Sequence, residues 1–329
     1  MGRFLVSLSK RGTTVLATGV VVGLIAPWLA DIARPLMPFC VFVFVLGTLL
    51  RVDAAVFRTN LRRPIVSVAL PLMVMVAVPV LVGCVVRVAE VGPELSLALV
   101  LAASAPPSSG NAAVARMMGL DGAIPLVITL LSMALTPLTV PLLASLFGGT
   151  SINSWDLAIR LALLVGSAEG VALLVRKRAA SHLVKHGQSI DGVIVVALLV
   201  FALATMSGVR ERIAANPGTT AEYVAIAFAC NILLQVVGFA LFPGSFYDRV
   251  TVGITVGNRN VGLVWAALGS AISPATALFF ACTQFPIYIL PRLLHVLVEQ
   301  RAKRTVQFSV RPPSHALPPA IRKGVVHPR

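Results

Sequence analysis

Two short segments carry residue types for which an apolar chain has no ordinary use. One is Ser104-Ala105-Pro106-Pro107-Ser108-Ser109-Gly110-Asn111, and the other is Thr255-Val256-Gly257-Asn258-Arg259-Asn260-Val261-Gly262. Pro106 and Pro107 remove two backbone donors and crowd the preceding turn, so the first segment cannot be continuous helix. The second sets Asn258, Arg259 and Asn260 beside Gly257, four residues that give a helix no apolar face. A break inside a membrane frees carbonyl oxygens that can hold a cation. It also exposes the N-terminus of a half-helix, which favours an anion. The expected chemistry is therefore binding of an ion or small ligand. The candidate ligands are Ser108, Ser109, Asn111, Thr255, Asn258, Arg259 and Asn260, and Pro106, Pro107, Gly110 and Gly257 are the residues expected to break the helices.

Enzymatic chemistry is not expected. The chain has no HExxH, GxSxG or Walker pattern. Its histidines (His182, His186, His295, His315, His327) lie in a basic loop, near the last helix end or in the tail. Cys40, Cys84, Cys230 and Cys282 are far apart, lack a CxxC spacing and sit in apolar runs, so they read as small apolar residues. Neither a cofactor nor a metal centre is expected.

The elements that position these segments follow from composition. Of 329 residues, 57% are hydrophobic and 12% charged, and the mean hydropathy is +0.93. Soluble domains are roughly 45–50% apolar and about 25% charged. The polar shell would be too thin for a soluble core, so the chain is expected to be an integral membrane protein embedded in a lipid bilayer. A span needs about 20 apolar residues. Ten runs qualify, at 13–30, 32–50, 64–86, 95–118, 122–147, 157–175, 189–207, 219–242, 248–271 and 273–298.

The net charge is +15. The bases cluster at the start (Arg3, Lys10, Arg11), in loops 51–63 and 176–186, and after residue 300, which all fall on one side of ten spans. Orientation explains them, not nucleic acid, and the positive-inside rule puts both termini in the cytoplasm. The basic tail 300–329 is Pro- and Arg-rich and reads as disordered. Asp121 and Asp191, at span ends, are expected to be solvated.

An offset of 147 residues relates Gly19 to Gly166, Gly23 to Gly170, Gly110 to Gly257 and Asn111 to Asn258, and Pro137 and Pro141 nearly match Pro286 and Pro291. Five spans are an odd number, so a second copy must insert upside down, the inverted-repeat plan of secondary transporters. The repeats are residues 1–150 and 151–299. Each Gly pair in spans one and six forms GxxxG, which lets helices approach closely. Arg259 would be costly unpaired, and Glu169 in span six is its candidate charge partner.

At PPSSGNAAVARMMGLDGAIPLVITLLSMALTPLTVP and VGNRNVGLVWAALG the chain resembles the bile acid:sodium symporter family, and the resemblance extends from about residue 10 to 298. It implies an all-α fold of ten transmembrane helices in two inverted five-helix repeats. Spans one, two, six and seven would form a panel and the rest a core, with broken spans four and nine crossing in that core. It further implies a symporter of organic anions working by alternating access, in a plasma membrane (a bacterial inner membrane). Thr129, Ser132, Thr136, Thr283 and Gln284 would line the core near the crossing.

The family's sodium ligands are replaced here. Asn111 and Asn260 are kept, but Gly110, Pro125, Thr255, Arg259 and Val74 stand where the family has Ser, Ser, an acidic residue, Gln and Gln. A guanidinium without a carboxylate repels sodium in low dielectric, so sodium coupling is expected to be lost or altered. Two other functions are weighed. A membrane receptor or scaffold has no attached sensory domain to support it. A metalloid permease of the same superfamily would carry a Cys beside the fourth-span break, where this chain has Pro-Ser-Ser.

Overall fold

Prolines mark where the apolar runs turn back into the membrane. The computed structural model describes residues 12–148 and 153–309, which are helical apart from short connections and one isolated β-bridge. The helices are α1 (Gly12–Ile25), α2 (Pro27–Leu50), α3 (Ala54–Leu61), α4 (Ile65–Val88), α5 (Pro93–Ser104), α6 (Asn111–Met117), α7 (Ala123–Gly148), α8 (Ser154–Lys185), α9 (Gly187–Ala204), α10 (Val209–Ala215), α11 (Pro217–Leu241), α12 (Phe246–Gly257), α13 (Val261–Leu268) and α14 (Pro274–Ser309). Pro27, Pro93 and Pro217 stand at first helical positions, where a missing N–H costs nothing and φ is already helical. Asn153 and Asn216 cap α8 and α11 through their side chains, and Ser245 with Asp248 forms a capping box on α12.

Among the described residues, seven helical stretches are long and apolar enough to cross a membrane: α2, α4, α7, α8, α9 continued through α10, α11 and α14. The chain is a multi-pass membrane protein. Many large apolar side chains face outward, among them Ile25, Trp28, Leu81, Leu138, Leu163 and Leu233. Lipid tails are as apolar as leucine, so close packing of small residues, not water exclusion, joins such helices. Gly19 and Gly23 supply it for α1. A Cβ at Gly19 would meet Leu199 and Ala202 of α9, and one at Gly23 would meet Met206 and the Leu203 carbonyl. Gly238 and Gly253 do the same where α11 lies against α12.

Several sequence expectations are corrected here. The first helix ends at Ile25, because Ala26 leaves helical geometry before Pro27. The basic stretch 51–63 contains α3, capped by Asp53. The basic stretch 176–186 is not a loop either: α8 continues to Lys185 with one non-helical residue, Ala179. The last helix runs to Ser309, nine residues past the expected start of a disordered tail. The remainder of that tail, and Arg3, Lys10 and Arg11, lie outside the described residues. The second GxxxG makes no helix contact: nothing lies within 4 Å of a Cβ placed at Gly166 or Gly170.

Candidate functional site

The two interrupted helices meet at their interruptions. Helix α5 ends at Ser104, Ala105 is extended (φ −61°, ψ 142°), and a turn at Ser109 and Gly110, closed by the Asn111 N–H on the Ser108 carbonyl, leads into α6 at Asn111. Helix α12 ends at Gly257, Asn258 is extended (φ −84°, ψ 108°), and α13 starts at Val261. The two extended pieces pair as an antiparallel bridge between Pro107 and Arg259. The Ser108 N–H donates to the Asn258 carbonyl at 2.8 Å, and the Asn260 N–H donates to the Pro106 carbonyl at 2.7 Å. Proline needs no partner for the N–H it lacks, so Pro107 can face Arg259 at the bridge without an orphaned donor. Irregular backbone survives inside a membrane only when its polar groups find such partners.

Amide side chains satisfy much of the remaining backbone. Asn111 donates toward the carbonyls of Thr255 (3.4 Å) and Asn258 (3.3 Å). Asn260 donates to Ser109 Oγ at 3.0 Å, while its own oxygen accepts from the Leu263 N–H and so caps α13. That N-terminus was expected to be free for an anion; a side chain of the protein occupies it. Thr48 of α2 donates to the Ser109 carbonyl at 2.8 Å. Two residues not singled out in the sequence complete the set. Asn231 of α11 donates to the Gly257 carbonyl and to Asn258 Oδ1, both at 3.1 Å, and accepts from Gln235 at 2.6 Å. A polar pair spaced i, i+4 within the apolar run 219–242 was the available signal.

Arg259 is 6% exposed. Its Nη1 donates to the Val74 carbonyl at 3.0 Å and to the Ala105 carbonyl at 3.3 Å. The Val74 carbonyl is open for a reason legible in α4. Residues Met73–Ala77 form a π-helical turn, in which the Val78 N–H bonds to the Met73 carbonyl five residues back. In that register Val74 would pair with residue 79, which is a proline and has no N–H. The same arrangement precedes Pro71: Ile65–Ala69 is π-helical, and the Leu70 N–H bonds to the Ile65 carbonyl. A proline eight residues from another thus prepares the acceptor for Arg259. Val74 lies near the middle of α4, so the guanidinium sits well inside the span.

Two of the three guanidinium nitrogens are unsatisfied. Nε and Nη2 are buried with no acceptor among the described residues, and Arg259 forms no ion pair there. The expected partner, Glu169, is exposed on α8, the same outward face that carries Gly166 and Gly170. Among the described residues, no carboxylate takes part in the crossing. The arrangement presents a guanidinium with spare hydrogen-bond donors, chemistry suited to an acceptor of negative charge.

The other candidates divide. Ser108, Ser109, Asn111, Thr255, Asn258, Arg259 and Asn260 all come together through the hydrogen bonds above, with Pro106, Pro107 and Gly110 buried among them. The Thr255 hydroxyl itself turns back to the Thr251 carbonyl. Gln284 is buried but donates to Phe280 and Thr283 of its own helix. Thr129 and Ser132 are buried with unpartnered hydroxyls. Gly257 acts by close approach, not by an unusual backbone angle: a Cβ there would strike Gln235 and the Asn231 carbonyl.

Two cavities flank the crossing. A small one, about 20 Å³, lies among Ser108, Asn111, Asn258, Tyr288 and Leu198 of α9. A larger one, about 280 Å³, borders Arg259 on the side of α4, α11 and α14. No protein-family model matches this chain, and no curated protein matches it.

Proposed function

We propose that the chain is a secondary transporter of a small organic anion, working by alternating access in the manner of the bile acid:sodium symporters it resembles. In this proposal α5–α6 and α12–α13 each count as one broken span. With α1 they bring the seven long helices to ten spans in two inverted five-helix repeats. Helices α1, α2, α8 and α9 form the panel and the others the core. The observation that supports the proposal most is the buried meeting of two helix breaks around Arg259, with Nε and Nη2 unsatisfied. Transporters use such discontinuous helices to hold a substrate near the bilayer midplane. Asn111 and Asn258, related by the repeat offset, touch there.

Sodium has no place in the proposed cycle. The charge that sodium would bring is supplied by Arg259, which stays protonated and cannot leave. The test uses proteoliposomes and three radiolabelled probes: benzoate, pyruvate and taurocholate. Replacing external sodium by choline is expected to leave uptake of at least one probe within about twofold. A collapse of uptake without sodium would overturn the coupling proposal, and protein-independent uptake of all three would overturn the transporter.

A further inference from the structure

The larger cavity beside Arg259 has an unusual combination of walls and floor. Its apolar walls come from three long helices (α4, α11 and α14) and from α5, including Leu81, Leu99, Leu233, Phe279 and Ile287. Its polar lining is otherwise spent: Asn231 gives both amide hydrogens to the second break, and Thr283 donates to the Phe280 carbonyl. Of the nitrogen and oxygen donors that line it, only those of Arg259 lack an acceptor among the described residues. Whatever occupies the cavity must therefore accept hydrogen bonds and carry negative charge at one end, and be apolar elsewhere. A hydrophilic anion would lose its water and gain only one guanidinium.

Size and openings narrow the occupant further. At about 280 Å³ the cavity falls just below the roughly 300–1,000 Å³ of enclosed small-molecule sites. Two of its lining residues, Leu81 on α4 and Leu233 on α11, are 64% and 63% exposed, and they lie on helices whose outer faces meet lipid. The cavity thus opens to the bilayer between α4 and α11 at the level of Leu81, about two turns along α4 from Val74. Arg259, bonded to the Val74 carbonyl, lies near the middle of the span, away from the interface where a phospholipid headgroup stays. A single-chain acid can reach Arg259 and leave its chain in the lipid.

We propose that this cavity binds the carboxylate of a fatty acid entering sideways from the membrane, with Arg259 Nε and Nη2 on the head and the α4–α11 opening around the chain. The proposal rests on the anion-binding reading of Arg259 given above, and adds to it the class of anion and the route. It places the ligand in the larger cavity, which shares Ile287 with the small one but is not lined by Ser108, Asn111 or Leu198 of α9.

The experiment uses full-length protein in nanodiscs of phosphatidylcholine and a palmitate carrying a photoactivatable diazirine on its chain. Crosslinks are expected within residues 78–82, 230–237 or 279–287, at least tenfold more from the acid than from its methyl ester. This comparison is made on the wild-type protein, so it does not depend on a variant folding. Arg259→Gln is expected to reduce labelling by the acid at least tenfold and to leave the ester unchanged. Equal labelling by acid and ester would overturn the proposal, as would displacement by phosphatidylglycerol, which would make the occupant a phospholipid. Displacement by acetate as effective as that by palmitate would overturn it too, leaving an anion site with no use for a chain. Uptake of benzoate without palmitate labelling would sink this proposal and spare the transporter; labelling without any uptake would do the reverse.

Discussion

A single carboxylate oxygen, Asp191 Oδ1, accepts from Arg116 at 2.9 Å and from Arg51 at 3.1 Å. The contact joins α6, the half-helix after the first break, to α9 and to the end of α2. Asp191 was expected to be solvated at a span end, yet its side chain is only 12% exposed. It is the charged link between the broken helices and the helices across from them.

Asp191→Asn leaves two guanidinium groups facing each other without their counter-charge. A hydrogen bond to a charged group contributes about 1.5–3 kcal/mol, so a thermal scan in detergent should show a melting temperature lower by several degrees. Arg116→Met in the same background should add less than it does alone, since the pair is already broken. Additive losses would mean that the two side chains act independently.

Asn260→Ala removes both an N-cap and a donor to Ser109. Loss of a cap costs about 0.5–2 kcal/mol. Asn260→Asp keeps the capping oxygen and should recover most of the stability, while placing a carboxylate next to Arg259. If transport is assayed, Asn111→Ala and Asn260→Ala should each lower uptake more than they lower the yield of folded protein. Normal uptake by both would remove these amides from the site.

Pro79→Ala returns an N–H that can compete with Arg259 for the Val74 carbonyl. Replacing a helix-interior proline is ordinarily stabilising. Here the gain should be smaller in the wild type than in an Arg259→Gln background, by about 1–2 kcal/mol, because only the wild type has a hydrogen bond to lose. The readout is a double-mutant cycle of unfolding midpoints. Identical gains in both backgrounds would show that the carbonyl is not shared.

The two GxxxG motifs should respond oppositely to added volume. Gly23→Val drives a side chain into Met206, and overpacking of this kind costs about 1–3 kcal/mol. Gly166→Ala and Gly170→Ala meet open space and should leave the melting temperature within a degree of wild type. A large loss at Gly170 would instead reveal a partner covering that face of α8.

How far the sequence foretold this architecture depends on what each residue had to report. Pro106-Pro107 and the Asn258-Arg259-Asn260 run announce helix breaks because their chemistry is incompatible with apolar helix wherever the chain goes. Their pairing depends on two segments about 150 residues apart, and no local pattern encodes it. Glu169 was matched to Arg259 on charge alone; a span that is apolar all round does not say which face turns outward, and Glu169 turns outward. The Val74 acceptor was overlooked because it is a backbone atom: its signal was the spacing of Pro71 and Pro79, not the side chain of Val74. The basic stretch 176–186 read as a loop on its charges alone, but charged residues do not end a helix; the helical path bends at the non-helical Ala179 and goes on to Lys185.

The hydrogen bond from Ser108 to Asn258 also sets an order on synthesis. The acceptor is made 150 residues after the donor. At about 5–20 residues per second, that is roughly 8–30 seconds during which the first break has been translated and its partner does not exist. Through that interval the Ser108 amide and the Pro106 carbonyl need water or the insertion machinery for company, so the Pro-Pro segment cannot settle at its final depth in lipid until most of the chain has been inserted. The crossing is therefore among the last parts of the molecule to form, and a ribosome stalled before residue 258 leaves a chain with an open seam at its centre.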